Sequence, residues 1–185
     1  MIPFEHIDNG WTLFLDRDGV INVEKEGSYI FHYGEFEFYK DVPGALKRCA
    51  AVFGHIVVVT NQRGVGKGMM TAADLQDIHE KMVAAIELAG GRISRIYYAD
   101  SLDNAHPLRK PQPGMAHAAQ RDLPGLDLTR SVMVGNNLSD MEFGRNAGMF
   151  TAFLRTTNPE QPLPHPAIDG AFDTLADFAK HLRLA

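Results

Sequence analysis

His55-Ile56-Val57-Val58-Val59-Thr60 is an unbroken apolar run, rich in β-branched residues, that ends on a hydroxyl. A strand with one wet face alternates apolar and polar residues. This run does not, so it reads as a strand buried on both faces, the kind found in parallel sheets covered by helices. Working outward, residues 12–15 form a short apolar strand that ends in acid, and residues 92–98, 131–135 and 150–154 supply further strands. Helical patterns fall between them. Residues 41–53 open with Asp41 as a cap and Pro43 in the first turn, with Leu46, Cys49 and Phe53 on one face and Gly54 as the stop. Residues 71–89 carry Leu75, Ile78, Met82 and Ile86 at helical spacing, with Thr71 as cap and Gly90-Gly91 as terminator. Residues 115–123 are helical, Ser139 with Glu142 spells a capping box for a helix ending near Gly148, and residues 174–184 form a last helix.

Strands alternating with helices define an α/β fold, a central parallel sheet flanked by helices. Ligands in such folds bind beyond the carboxyl ends of the strands. The aromatic-rich segment 22–40 breaks the alternation and is expected to be a hairpin or flap within a single domain spanning 1–185. Tyr29, Phe31, Tyr33, Phe36, Phe38 and Tyr39 are read as packing it onto the core. Residues 101–113 and 158–166 are Pro-rich loops.

With 185 residues, 45% of them hydrophobic and 22% charged, the chain suits one soluble globular domain. The net charge of -5, without a basic run, excludes non-specific binding to nucleic acid or membrane surfaces, both of which need clustered Lys and Arg. The single cysteine, Cys49, cannot form an intrachain disulfide and reads as a buried thiol. The N-terminus lacks a basic region followed by an apolar stretch, and no run reaches membrane-spanning length. The expectation is therefore a cytoplasmic protein, monomeric by default.

Polar residues collect at the strand ends. The first strand runs into Asp16-Arg17-Asp18-Gly19, the second into Thr60-Asn61, and the fourth into Gly135-Asn136-Asn137 with Asp140 beyond; Arg109 and Lys110 follow the third. Four segments thus deliver acid, hydroxyl, amide and ammonium groups to one sheet edge, as phosphoryl transfer requires. A carboxylate can attack phosphorus and form an acyl phosphate. Residues two apart in extended chain face the same way, so Asp16 can attack while Asp18 serves as general acid and base. Gly19 lets the chain turn. Adjacent carboxylates repel a phosphate, which calls for a divalent cation, and magnesium suits oxygen ligands. Lys110 and the Thr60 hydroxyl can hold phosphate oxygens. Gly64-Val65-Gly66-Lys67-Gly68 lacks the spacing of a nucleotide loop and reads as a flexible connection.

These blocks resemble the four motifs of the haloacid dehalogenase superfamily: LFLDRDGVIN, VVVTNQ, RKPQPGM and VGNNLSDMEFG. In finer detail, DRDGVIN, TNQRGVGKG, RKPQPGM and VGNNLSDMEFGRNAGM resemble the D,D-heptose 1,7-bisphosphate phosphatase and histidinol-phosphatase family. The resemblance covers about residues 11 to 155 and implies a Rossmann-like fold with at most a minimal cap. It implies a magnesium-dependent phosphatase of a small phosphorylated metabolite, with Asp16 as nucleophile, Asp18 as acid and base, Lys110 as stabilising cation, Thr60 and Asn61 on the phosphate, and Arg109 on the substrate. The metal would sit on Asp16, the Asp18 carbonyl and position 136.

Two departures matter. Positions 136 and 137 are Asn where the family carries Asp and commonly Lys. An amide oxygen can ligate magnesium but brings no charge, so weak metal binding is expected, with Asp140 as a compensating ligand. The family's Cys/His zinc loop is replaced by Ala99-Asp100-Ser101-Leu102-Asp103-Asn104-Ala105-His106, so no structural zinc is expected. Histidinol phosphate as substrate, and a phosphate-binding member without turnover, stay open beside the sugar-phosphate reading.

Overall fold

The structure, a computed structural model, describes residues 1–184; residue 185, included in the single-domain reading, lies outside the described residues. Six strands, β1 (Thr12–Leu15), β2 (His55–Asn61), β3 (Arg95–Ala99), β4 (Ser131–Gly135), β5 (Phe150–Leu154) and β6 (Gly170–Phe172), form one sheet in the order β3-β2-β1-β4-β5-β6. All neighbours run parallel. The order reverses beside β1, whose two neighbours are β2 and β4. A doubly wound sheet opens its ligand crevice at such a point.

The α/β expectation holds, and the strand interiors explain why. On β1, Leu13 and Leu15 face one way with Ile56, Val58, Val132 and Val134. Phe14 faces the other way with Val57, Val59 and Met133. Both faces are buried, so the run at 56–59 has no solvent side that could call for polar residues. Each fully buried Val, Leu or Ile contributes roughly 1.5–3 kcal/mol. On the first face lie α1 (Val42–Ala50), α3 (Ala72–Leu88) and α6 (Leu175–Lys180); α4 (Gly114–Asp122) and α5 (Leu138–Asn146) cover the second. Cys49 is buried on the first face, and burial pushes its thiol up to about 12, so it is inert.

Several expectations need correction. Asp41 occupies the cap position of α1, but its side chain makes no capping bond. The fourth-motif helix starts earlier than Ser139: Asn137 is its cap, and Asp140, not Glu142, reaches back to the cap's N–H. The last helix stops at Lys180 rather than Leu184. The stretch after β2 is not a loose loop but a helical turn, α2 (Arg63–Gly66), closed by the Lys67 N–H on the Arg63 carbonyl at 2.9 Å. Residues 22–40 form no hairpin. Asn22 makes isolated bridges to Asp18 and Phe38, and Tyr33–Glu35 is a 3-10 turn. Ile30 packs with Met70, Leu75 and Ile78, backed by Phe31, Tyr33 and Phe36, so the flap's aromatics do anchor it to α3.

Candidate active site

Asp16 follows the last residue of β1, and its backbone N–H donates to the Val134 carbonyl at 3.0 Å, which fixes it against the end of β4. The next turn is sharp. Gly19 takes φ +83, and a Cβ there would fall 2.1 Å from Asn136 Nδ2, so both conformation and space demand glycine. Gly135 is equally tight, since a Cβ would come within 2.2 Å of the Asp140 Cβ. The carboxyl ends of β1 and β4 are thereby held close together.

Lys110 is the centre of charge. Its ammonium is 2.9 Å from Asp16 Oδ1 and 2.7 Å from Asp140 Oδ1, and it donates to the Val59 carbonyl at 2.9 Å. Its three N–H groups are all engaged. Burial alone would lower the lysine, but Asp140 and Asp16 raise it above its ordinary value, so it is charged. Burial raises Asp16 to about 7 against the pull of Lys110, with Asp140 and Asp18 adding to the rise. A positive charge brought to the site would return Asp16 to the ionised form.

Asp18 lives in a different environment. Burial would raise it, but the Arg17 guanidinium and hydrogen bonds from Asn22 and Gln62 hold it below the ordinary carboxylate range. Arg17 grips it through Nη2 at 2.8 and 3.0 Å; Asn22 Nδ2 and Gln62 Nε2 each donate at 2.9 Å. Arg17 itself is fully buried, and its Nη1 donates to His79 Nε2 at 3.2 Å. Because Arg can only donate, that imidazole nitrogen carries no proton. Burial, then Arg17, depress His79 to about 3.

The remaining sequence candidates divide. Thr60 is buried at the end of β2, its hydroxyl accepting from Gln62 Nε2 at 2.9 Å. Asn61 clamps the backbone of Lys110, accepting from its N–H at 3.1 Å and donating to its carbonyl at 3.2 Å. Asp140 has both oxygens engaged: Oδ1 by Lys110, and Oδ2 by the Asn136 and Asn137 N–H groups at 3.1 and 3.0 Å. It therefore stands as the partner of Lys110 rather than as a free ligand. Arg109 lies off to one side with Arg63, and both donate to Asn104 Oδ1, at 3.4 and 2.5 Å. Asn136 donates through Nδ2 to Glu24 Oε2 at 3.1 Å and to Thr157 Oγ1 at 2.7 Å, while its buried Oδ1 has no partner.

Asp16, Asp18, Asn61, Lys110, Asn137 and Asp140 line a cleft of about 180 Å³, together with Glu24, Lys25 and Tyr29 from the flap. A larger cavity of about 460 Å³ between α3 and β3 is mostly apolar; Glu80 and Glu87 border it, but no Lys, Arg or strand-end aspartate does, so the chemistry belongs to the smaller cleft. Among the described residues, no three His, Cys, Asp or Glu side chains are already gathered at ligating distance. The donors fit an oxygen-seeking cation nonetheless: the Asp16 carboxylate, the Asp18 carbonyl, and the orphaned lone pairs of Asn136 Oδ1. Arg17, Asn22, Gln62, Glu24 and His79 were missed from sequence. The available signals were the place of Gln62 directly after Thr60-Asn61, of Arg17 between the two aspartates and of Asn22 within the same block.

A parallel sheet with an aspartate pair at its switch point, a buried lysine and an acid at the start of the following helix defines a hydrolase of the haloacid dehalogenase class. The family model described as HAD-hydrolase-like matches residues 107–178. D-glycero-alpha-D-manno-heptose-1,7-bisphosphate 7-phosphatase of Mycobacterium bovis is 34% identical over 176 residues, 95% of this chain and 93% of that protein. The D-glycero-beta-D-manno-heptose-1,7-bisphosphate 7-phosphatase of Escherichia coli K12 is 33% identical over 181 residues, 93% of each chain. The crystal structure of D,D-heptose 1,7-bisphosphate phosphatase from B. bronchiseptica, complexed with magnesium and phosphate, superposes with a TM-score of 0.82 at 28% identity, covering 92% of this chain and 96% of that one. The chain belongs to the heptose-1,7-bisphosphate 7-phosphatase family and is a phosphoric monoester hydrolase. No helix among the described residues is long and apolar enough to cross a membrane.

Proposed function

We propose that this chain cleaves a phosphate monoester of a small sugar phosphate, with heptose 1,7-bisphosphate as the leading candidate, through an aspartyl-phosphate on Asp16. The observation that carries this reading is the Lys110 ammonium seated between Asp16 and Asp140 at the switch point. Asp16 Oδ1 is fixed by Lys110 and by the Arg17 N–H at 2.8 Å, which aims the carboxylate without a search for geometry. Its attack on phosphorus forms the acyl phosphate and breaks the bond to the sugar oxygen. That oxygen needs a proton, and Asp18 is the group to give it. In the observed arrangement Asp18 is ionised, the form that later takes a proton from water as the acyl phosphate is hydrolysed. Donation requires the carboxyl to leave Arg17 and take up a proton first.

Magnesium, held by Asp16, the Asp18 carbonyl and Asn136, would neutralise phosphate charge and polarise phosphorus. Thr60 and Asn61 would stand near the phosphate, with side chains already bonded to Gln62 and to the Lys110 backbone. Arg63 and Arg109 suit a second anionic group of the substrate. Each carries a buried N–H without a partner, on Nε and Nη1, and burial and then Arg63 lower Arg109. This favours a bisphosphate over histidinol phosphate, which has one phosphate.

The test is phosphate release with magnesium from heptose 1,7-bisphosphate, heptose monophosphates and histidinol phosphate, with Asp16→Asn alongside. Release from the bisphosphate that is lost in Asp16→Asn supports the proposal. Preference for histidinol phosphate would overturn the substrate. Absence of turnover with retained phosphate binding would favour a binding protein.

A further inference from the structure

The amide of Asn136 is oriented by chemistry rather than by assignment. An ionised carboxylate only accepts hydrogen bonds, so the group that meets Glu24 Oε2 at 3.1 Å must be Nδ2, and Thr157 Oγ1 at 2.7 Å meets the same nitrogen. Oδ1 is then left buried and without a hydrogen-bond partner. Glu24 comes from the flap, far from the fourth motif in sequence, yet it lines the cleft with Asp16, Asp18 and Asp140. Its carboxylate therefore stands within hydrogen-bond distance of the side chain that occupies the position where an acid was expected. Were residue 136 an aspartate, two carboxylates would meet there and repel; the amide turns that contact into an attraction.

The charges agree. Asp16, Asp18, Asp140 and Glu24 surround the site, against Arg17 and Lys110; Lys25 also borders the cleft, but its charge is matched by Glu35 at 2.9 Å. With all ionised, the excess is two negative charges, which one divalent cation offsets. Replacing Asp by Asn at 136 does not starve the site of charge if Glu24 is included.

Resting on the phosphatase reading above, we propose that Glu24 supplies an anionic oxygen ligand of the divalent-cation site, carrying the charge that Asn136 lacks, while Asn136 Oδ1 serves as a neutral donor. Hard cations bind according to the number and charge of their oxygen ligands, so a carboxylate moved from a strand end to the flap preserves the inventory. It also ties the flap to the cation: Asn22 bridges the start of the flap to Phe38, and Lys25 pairs with Glu35 at 2.9 Å, so the segment bearing Glu24 is anchored on both sides.

The experiment measures manganese binding by electron paramagnetic resonance, without phosphate, for the intact chain and for Glu24→Gln, Asn136→Asp, the double variant and Asp16→Asn. Thermal melts establish that each variant folds. Glu24→Gln is expected to weaken manganese binding roughly 10–100-fold, the range for loss of a supporting metal contact. The double variant, which restores a carboxylate at 136 while removing the one at 24, is expected to recover most of that loss; a purely structural role for Glu24 would not give this rescue. Manganese affinity unchanged in Glu24→Gln, or a double variant no better than Glu24→Gln, overturns the assignment. If Asp16→Asn loses both manganese and phosphate release while Glu24→Gln loses neither, the phosphatase reading stands and Glu24 falls. If the unaltered chain neither binds manganese nor releases phosphate, both fall.

Discussion

Acid should strip stability from this protein through His79. In the folded chain the imidazole is depressed to about 3, first by burial and then by Arg17; its ordinary value is 6.5. Folding thus selects the neutral form, whose unprotonated Nε2 accepts from Arg17 at 3.2 Å. Above pH 6.5 the ring is neutral in both states and costs nothing. As pH falls from 6.5 toward 3, the unfolded chain binds a proton that the folded chain refuses, and stability is lost. At pH 5 the loss is about 2 kcal/mol, and at pH 7.5 it is negligible. Asp16 works in the opposite sense: its carboxyl is raised to about 7, so the folded chain gains protons as pH falls from 7 toward 4 and is relieved of charge repulsion. The net profile of the unaltered protein therefore hides both effects. His79→Gln keeps an acceptor for Arg17 and removes the titration, while leaving Asp16 as it is. Urea unfolding of both proteins at pH 7.5 and 5.0 should show the stability difference moving by about 2 kcal/mol in favour of the variant as pH falls. A difference that stays constant to within about 0.5 kcal/mol would refute the claim that His79 is held neutral against a buried guanidinium.

Other perturbations probe other contacts. Lys110→Met leaves Asp16 and Asp140 buried without their shared cation, and should lower stability by about 3–5 kcal/mol in urea titrations and abolish phosphate release. Arg63→Ala should raise KM for a sugar bisphosphate by about tenfold, the worth of one charge-assisted hydrogen bond, and leave KM for a monophosphate nearly unchanged in steady-state assays. Thr71→Ala removes the hydroxyl that accepts from the Asp74 N–H at 3.1 Å at the start of α3; melts should show a loss of about 1 kcal/mol with kcat preserved.

The fold was legible where burial is total. The run at 56–59 is apolar throughout because both of its faces are covered, and the strands at 12–15, 131–135 and 150–154 were bounded correctly for the same reason. β6 was not foreseen: Gly170-Ala171-Phe172 is an edge strand of three half-buried residues, too short to show any period. α2 was hidden by its glycines, which read as a loop until the close approach of neighbouring chain is known; a Cβ on Gly66 would fall 2.0 Å from the Asp100 carbonyl oxygen. In the site, Asp16, Asp18 and Lys110 showed themselves because each sits at or just beyond a strand end, where topology gathers side chains irrespective of sequence distance. Residues that act by holding those groups were not separable by position alone, since Arg17 and Gln62 also follow strand ends. Arg17 points away from the cleft into the protein, and its partner His79 lies on α3, 62 residues away.

Asn136 shows how a local departure can mislead about charge. Read along the chain, the loss of an acid in the fourth motif predicts a weak cation site, and Asp140, four residues on, is the natural substitute. In three dimensions Asp140 is already committed to Lys110 and to two backbone N–H groups, and drawing it toward a cation would strip those donors of their acceptor. Glu24 has no comparable commitment to a cation: its partners are the Asn136 amide and the Thr157 hydroxyl, and partial burial, with Asp18 and Asp140 adding, raises its carboxyl above the ordinary value. A carboxylate raised by neighbouring anions is one that gains most from a cation among them. The electrostatics of the cleft therefore favour the flap, not the fourth motif, as the source of the missing charge, because among the described residues Glu24 offers a negative oxygen close to position 136 that is not ion-paired with Lys or Arg.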